Sequence, residues 1–484
     1  MVLSGYEYCK FIVGTPSSSG DVIQLSEKAF NNLWNFVLEN QGGEDSDKVL
    51  TVGKTNGVRY IRASKFVGTI QTKDGQVIEI LPKIAKGDSE KDKAKARSVF
   101  RKMLASCYGQ EARRITDVSL ETKKDFPIFE YYIQRYLEEV DRLVLAGVKK
   151  NYAKVRANEP FLKGKLLVSK QITKNAADKA HFQIEYSKYI EDIPQNRIVV
   201  STLHKLAKIS TDSSLAAWCN RSIAKLDGIP QSKNIAADLQ SSLASNRLFS
   251  DYTNLITWSS QFLLNKGFTS FKGNTVNCAL LFDAAKLFES YIAHLFRKYA
   301  SDFIVSPQDT SHFFIHKLND KMDQVEPLFK LRPDLVAVPK NPAARTVILD
   351  TKWKTLNDSK TSGISIQDLY QLYAYGHKYT EVHGKHPVLV LIYPATQVGE
   401  SGTHYLYDLK GKINGSTSFG DNPLGLMVTK FELNATEDDY MHQVIGITQA
   451  CQEFMNVILN RKQGSAGFGD IDEEEYENIR YGTD

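Results

Sequence analysis

"RPDLVAVPKNPAARTVILDTKWK" spans Arg332 to Lys354. Two short apolar runs, LVAV and TVIL, flank PKNPAAR, a basic, turn-rich segment whose prolines forbid a continuous central strand. The pattern predicts an antiparallel hairpin. Centred near Pro342, it sets Asp334 directly opposite Asp350, each eight residues from the centre. Facing Cβ atoms in such a pair stand about 5 Å apart. Two carboxylates at that separation repel unless a cation lies between them, and hard oxygen ligands of this kind suit Mg²⁺ or Mn²⁺. Strand alternation puts Lys352 on the face of Asp350 and Thr351 on the other. The stretch can therefore gather two carboxylates and one ammonium around a single point. That is equipment for phosphodiester hydrolysis: a metal to polarise a phosphoryl oxygen and acidify a water, and a lysine to orient that water and offset developing negative charge.

Pro333-Asp334 followed by Asp350-Thr351-Lys352 matches the PD-(D/E)XK nuclease signature. The tripeptide alone is common. Glu121-Thr122-Lys123, Asp358-Ser359-Lys360 and Asp408-Leu409-Lys410 have the same form, but none closes an apolar strand that faces an upstream Pro-Asp. The plain alternative is a surface hairpin with charged strand ends, and two flanking helices weigh against it. In "ALLFDAAKLFESYIAHLFRKY" the apolar stripe includes Phe282, Ala285, Ile292, Ala293 and Phe296, and Glu289 falls in its middle. A buried carboxylate needs a cation or a donor; for Glu289 the plain reading is a neighbouring Lys or Arg or a wider helix face, and the functional reading is a third acid directed at the metal, through water or directly. In "DLYQLYAYGHKY", Asp368, Gln371 and Tyr375 share one helical face. Gln371 and Tyr375 form the QxxxY pattern of RecB-like nucleases, while Leu372, Tyr373 and Tyr379 read as core. "HPVLVLIYP" supplies the next strand. Helix, strand, strand, helix, strand is the order of the nuclease core. The candidate site is thus Asp334, Asp350, Lys352, Glu289, Gln371 and Tyr375, with Asp334, Asp350 and Glu289 as metal ligands.

The whole chain has 484 residues, too many for one core, so two to four domains are expected. Hydrophobic content of 42% and charged content of 24% are those of a globular protein. A net charge of +5 permits nucleic-acid binding without arguing for it. Five scattered cysteines lack zinc spacing and read as reduced, intracellular thiols. The opening MVLSGYEYCKFIVG is no signal peptide, and no apolar run reaches membrane-spanning length, so a cytoplasmic location is expected.

The expected architecture is α/β and multidomain. A β-rich N-terminal region (1–160) carries the hairpin "GVRYIRASKFVGTIQTKDGQVIEILPKI", turning at Asp74-Gly75, and a helix in "FPIFEYYIQRYLEEVDRLVLAGVKKNY". A mixed connecting region (161–270) follows, with "LKGKLLVSKQI" as a strand-pair element and helices near 197–209 and 235–266. The PD-(D/E)XK core occupies 271–462. The Gly-rich, acidic tail 463–484 reads as disordered, with a partner-docking tail as the alternative.

The ordered set of motifs resembles McrC, the nuclease subunit of McrBC-type modification-dependent restriction systems. The resemblance runs through "RASKFVGTIQTKDGQVIEILPKI", "AGVKKNY", "FLKGKLLVSKQI", "DIPQNRIVVSTLHKL", "LFESYI", "RPDL", "ILDTKWK" and "DLYQLYAYG". It implies an endonuclease subunit that cuts double-stranded DNA within a hetero-oligomer. In that family an AAA+ GTPase, McrB, forms a ring and reads the modified base, and McrC inserts its N-terminal part into the ring and stimulates GTP hydrolysis. This chain has no P-loop of its own: "GTPSSSGD" has five residues between its glycines and Asp21 in place of the lysine. Arg59, Arg62 and Lys65 are among the candidates for the stimulatory base. The competing readings are a solitary RecB-like exonuclease, which leaves the large N-terminal half unexplained, and an assembly factor with a vestigial nuclease fold, which leaves Asp334, Asp350 and Lys352 unexplained.

Overall fold

The computed structural model describes residues 2–19, 21–39, 49–84, 87, 89–107, 127–243, 247–264, 276–318, 325–354, 356, 364–383, 385–395, 404–407 and 425–461. They fall into two compact units. The first takes the described residues of Met1–Lys83, Gly87–Arg101 and Ala112–Ala284, the second those of Ile84–Lys86, Lys102–Glu111 and Ala285–Asp484. The expected tail 463–484 and the three other acid-x-Lys triplets lie outside the described residues.

The first unit holds β1 (Val2–Tyr6), β2 (Lys10–Val13), β3 (Ser17–Ser19), β4 (Val22–Leu25), β5 (Leu50–Thr55), β6 (Val58–Ala63), β7 (Phe66–Thr72), β8 (Val77–Leu81), β9 (Asn151–Glu159), β10 (Lys165–Leu166), β11 (Phe182–Ile190) and β12 (Val276–Asp283). They form sheets ordered β1-β8-β7-β12, β3-β4-β2-β6-β5 and β10-β11-β9. The hairpin read at Asp74-Gly75 joins β7 to β8: Gly75 takes φ +85°, and its N–H donates to the Thr72 carbonyl at 3.0 Å. Every residue of β7 and β8 is buried. Phe11, Ile23, Phe30, Leu33, Ile61, Ile70, Ile78 and Leu281 share one core with them. Gly68 has φ +140°, and a Cβ there would lie 2.0 Å from the Leu280 carbonyl oxygen, so only glycine lets β12 approach β7.

That approach moves the expected boundary. β12 pairs antiparallel with β7 along its length, so residues 276–283 belong to the N-terminal sheet and the long C-terminal segment of the second unit begins at Ala285, not 271. Regions 1–160 and 161–270 likewise form one unit rather than two. The Asp192–Arg197 motif contributes to this. Pro194 opens the helix Pro194–Ile209 in its first turn. Asn196, 2% exposed, donates to the carbonyls of Lys149 (3.0 Å) and Glu191 (2.8 Å) and accepts from the Tyr252 hydroxyl (2.7 Å). Arg197 forks onto Asp238 and also meets Asp192. The motif thus ties three separate segments together.

The helix expected within 126–152 is present as Ile128–Ala146 and ends at Gly147, φ +90°. The strand-pair expectation at "LKGKLLVSKQI" holds only for Lys165–Leu166. Val168–Lys174 is a helix with no buried residue. It is held by Gln171, whose amide donates to the His181 carbonyl and accepts from the Gln183 N–H. Phe282, read as part of a helical stripe, is instead a buried strand residue, because the helix starts at Ala284.

The second unit holds β13 (Phe303–Pro307), β14 (Phe313–Leu318), β15 (Val325–Lys330), β16 (Leu335–Pro339), β17 (Val347–Thr351), β18 (Val388–Pro394), β19 (His404–Tyr407) and β20 (Gly425–Phe431). Six of these form a mixed sheet, β13-β16-β17-β18-β20-β19, and β14 and β15 make a separate hairpin. β16 and β17 are antiparallel, whereas β17, β18 and β20 run parallel. Parallel neighbours need a crossover, and Ile366–His383 supplies it between β17 and β18. β18 is buried throughout, as a central parallel strand should be.

Candidate active site

β16 pairs with β17 as Leu335↔Leu349, Val336↔Ile348 and Ala337↔Val347. Extending that register by one residue brings Asp334 opposite Asp350, as the hairpin reading required. Asp350 lies at the C-terminal end of β17, between β16 and the parallel β18, where it pairs with Leu391. The carboxyl ends of parallel strands are where α/β sheets present ligand-binding groups.

Asp350 is 1% exposed. Its Oδ2 is in ion-pair contact with Lys352 Nζ, yet no donor meets that oxygen at hydrogen-bonding angles. Burial and then the nearby Asp334 charge push its carboxyl up to about 7. Burial also raises Asp334, against the two bonds its Oδ2 accepts from Thr351, from the N–H at 2.7 Å and the hydroxyl at 2.8 Å. Burial opposes the charge on Lys352, but Asp350, Asp368 and Asp334 together outweigh it and hold the ammonium above the usual lysine range.

Lys352 Nζ also donates to Gln371 Oε1 at 3.2 Å. The Gln371 amide donates to the Tyr375 hydroxyl at 2.9 Å, and that hydroxyl donates to the Arg332 carbonyl at 3.1 Å. The QxxxY pair therefore links the lysine to the backbone two residues before Asp334. Glu289 is half-buried; burial and then the Asp334 charge raise its carboxyl. Its Oε1 accepts from Gln308 Nε2 at 2.7 Å, and Gln308 Oε1 in turn accepts from the Arg332 guanidinium. The Gln308 N–H donates to the Asp334 carbonyl at 2.9 Å.

All six expected residues are thus tied into this one region. Sequence reading missed Gln308, which takes φ +48° and carries no motif. Thr351 was placed on the far face, yet it holds the Asp334 carboxylate. Leu372 and Tyr379 are buried as expected, but Tyr373 is 49% exposed and lies edge-on to His377 at 4.4 Å rather than in the core. Of the candidate basic residues in the first unit, Arg59 lies over the Phe30 and Trp34 rings, Lys65 pairs with Asp283 at 2.6 Å, and Arg62 is exposed.

Among the described residues, no three His, Cys, Asp or Glu side chains converge closely enough to form a metal-binding group by themselves. A Mg²⁺ site requires less: one or two carboxylates, completed by water and substrate phosphate. The mutually repelling pair Asp334 and Asp350, with an oxygen of Asp350 lacking a well-angled donor, fits that demand.

The family model described as McrBC 5-methylcytosine restriction system component matches residues 61–394. The chain belongs to the McrBC family. Among solved structures, this McrBC-family chain is similar to one in a refined half-complex from a tetradecameric assembly of Thermococcus gammatolerans McrB AAA+ hexamers with bound McrC. The identity is 19% and the TM-score 0.59, over 92% of this chain and 100% of that one. A cryo-EM structure of the Thermococcus gammatolerans McrBC complex contains a chain 19% identical with TM-score 0.46, over 63% of this chain and 89% of that one. The first likeness shows that the fold is shared along nearly the whole chain. No curated protein sequence matches. Among the described residues, no helix is long and apolar enough to cross a membrane.

Proposed function

We propose that this chain is the McrC-type nuclease subunit of a restriction complex, with a PD-(D/E)XK core in its second unit and a partner AAA+ ring that its first unit engages. The observation that carries the reading is the facing pair Asp334 and Asp350, with Lys352 in contact with Asp350 and anchored by Gln371. A buried acid whose pKa is raised by burial and by a second carboxylate facing it is costly to a fold unless it serves a ligand.

Asp334 and Asp350 would hold Mg²⁺ or Mn²⁺, with Glu289 contributing through water. When bound, the ion supplies Lewis-acid charge stabilisation at the phosphoryl group and acidifies the attacking water. The protein's own groups do the rest. Thr351 fixes the Asp334 carboxylate from the strand that carries Asp350. Lys352 presents a charged ammonium that orients water and offsets the negative charge of the transition state. Gln371 restrains that ammonium, and Tyr375 fastens Gln371 to the backbone at Arg332.

The surface of the first unit that best supports contact with a ring is the three-stranded β10-β11-β9 arm. Tyr152 (71% exposed) and Tyr189 (57%) pair their rings at 5.0 Å on it. Residues 151–190 carry eight Lys and Arg against three Asp and Glu. Exposed aromatic and basic groups of this kind are common in binding surfaces.

The test uses full-length protein with the McrB-type AAA+ protein of the same genome, double-stranded DNA carrying 5-methylcytosine, Mg²⁺, and GTP or ATP. Wild type should raise NTP hydrolysis and cut the DNA. Asp350→Ala should still raise hydrolysis but not cut, because the two activities reside in different units. Cutting by Asp350→Ala at the wild-type rate would refute the site. Vigorous cutting by wild type alone, with no stimulation of the partner, would favour a solitary exonuclease.

A further inference from the structure

We infer that Asp368 is a positioning residue for Lys352, holding the ammonium in place when Asp350 is engaged elsewhere. The inference rests on the nuclease reading above and adds a residue to it. Lys352 has three N–H donors. The ammonium is in ion-pair contact with Asp350 and donates one N–H to Gln371 Oε1 at 3.2 Å. Yet Asp350 is also the residue best placed to serve a cation, and a carboxylate that binds a cation loses much of its hold on a neighbouring ammonium. Gln371 is neutral and cannot replace that charge. Asp368 can. Its Oδ1 stands 3.7 Å from Lys352 Nζ and its side chain is 13% exposed, so its charge is only partly screened by solvent. It projects from the first turn of Ile366–His383, one helical turn before Gln371, so a single rigid element presents both acceptors to the lysine.

Two other roles would account for the same acid. Asp368 pairs with Lys354 at 2.6 Å, and an acid in a first helical turn favours the helix dipole. Either would make Asp368 a stabilising residue with no bearing on turnover.

The experiment measures turnover and KM for DNA on the full-length chain with its AAA+ partner, for wild type, Asp368→Asn, Asp368→Glu, Lys354→Ala, Lys352→Ala and the double variant Asp368→Asn/Lys352→Ala. Melting temperature and NTPase stimulation are recorded for each. Asp368→Asn should lower turnover by about tenfold or more at little-changed KM. Asp368→Glu should restore a substantial part of it, and Lys354→Ala should turn over like wild type. The deciding comparison is the double variant, which should be no slower than Lys352→Ala alone, because Asp368 acts only through that lysine.

Wild-type turnover in Asp368→Asn, with Lys352→Ala inactive, would overturn the inference and leave the nuclease site standing. So would a loss that adds in full to that of Lys352→Ala, or one matched by Lys354→Ala and by a fall in melting temperature. Lys352→Ala cutting at the wild-type rate would instead remove the nuclease role of Lys352, and this inference with it.

Discussion

The Asp334 carboxylate accepts both the backbone N–H and the hydroxyl of Thr351, at 2.7 and 2.8 Å. The residue after one candidate ligand thereby fixes the other, across two strands. Thr351→Val removes the hydroxyl bond and keeps the N–H bond. It should cost about 0.5–1.5 kcal/mol of stability and lower cleavage less than Asp334→Ala does. Denaturation and single-turnover cleavage of both variants check this; wild-type cleavage in Thr351→Val would mean that the hydroxyl does not position Asp334.

Metal and pH should act on stability through Asp350. Its folded pKa, about 7, lies above the ordinary aspartate value because of burial and the Asp334 charge. A raised acid favours the folded state while protonated. With chelator present, stability should therefore be highest below about pH 4 as far as this group is concerned, and fall as pH rises toward 7. The loss should be on the order of 4 kcal/mol. Asp350→Asn should flatten that slope. Mg²⁺ at pH 8 should raise the melting temperature of wild type and not of Asp350→Ala. Identical melting profiles with and without Mg²⁺ would count against Asp350 as a ligand.

Lys352→Ala separates chemistry from metal binding. Removing a group that offsets transition-state charge should slow cleavage by roughly 10²–10³. The Mg²⁺-induced rise in melting temperature should survive or grow, because a competing cation has left Asp350. Undiminished cleavage in a preparation free of contaminating nuclease would reduce Lys352 to a strand-end charge.

Gly68→Ala tests the joint between β7 and β12. At φ +140°, with the Leu280 carbonyl 2.0 Å from the added Cβ, the strands must separate. The expected loss is about 3 kcal/mol or more. NTPase stimulation, assigned to the first unit, should fall with it. A melting temperature within a degree of wild type would mean that the close approach is absent in solution.

Asn196→Ala would remove the side-chain donor to the part-buried carbonyls of Lys149 and Glu191 and the acceptor of the buried Tyr252 hydroxyl. Loss of about 2–3 kcal/mol is expected, read by denaturant midpoint, with Asp350-dependent cleavage per folded molecule unchanged.

Much of the candidate site could be read from residues alone, and for a physical reason. A hairpin's register follows from its turn and its apolar alternation, both local, so the opposition of Asp334 and Asp350 could be counted along the chain. The Gln371–Tyr375 bond is likewise local, one helical turn apart. The helix at Ile128–Ala146 and the turn at Asp74-Gly75 were legible for the same reason. What periodicity could not reveal depends on residues far apart in sequence. β12 joins β7 across about two hundred residues, which moved the unit boundary to Ala284; composition at 271–284 carries no trace of a partner strand. Gln308 meets Glu289 and Arg332 because of a left-handed backbone that no glycine or asparagine announced. Asp368 lay on the face of Gln371 by spacing, but only the packing of its helix beside β17 brought its carboxylate to Lys352. Alternation and turn chemistry determined which side chains share a face; the tertiary structure decided which faces meet, because pairing distant segments is a matter of shape, burial and charge that no local window contains.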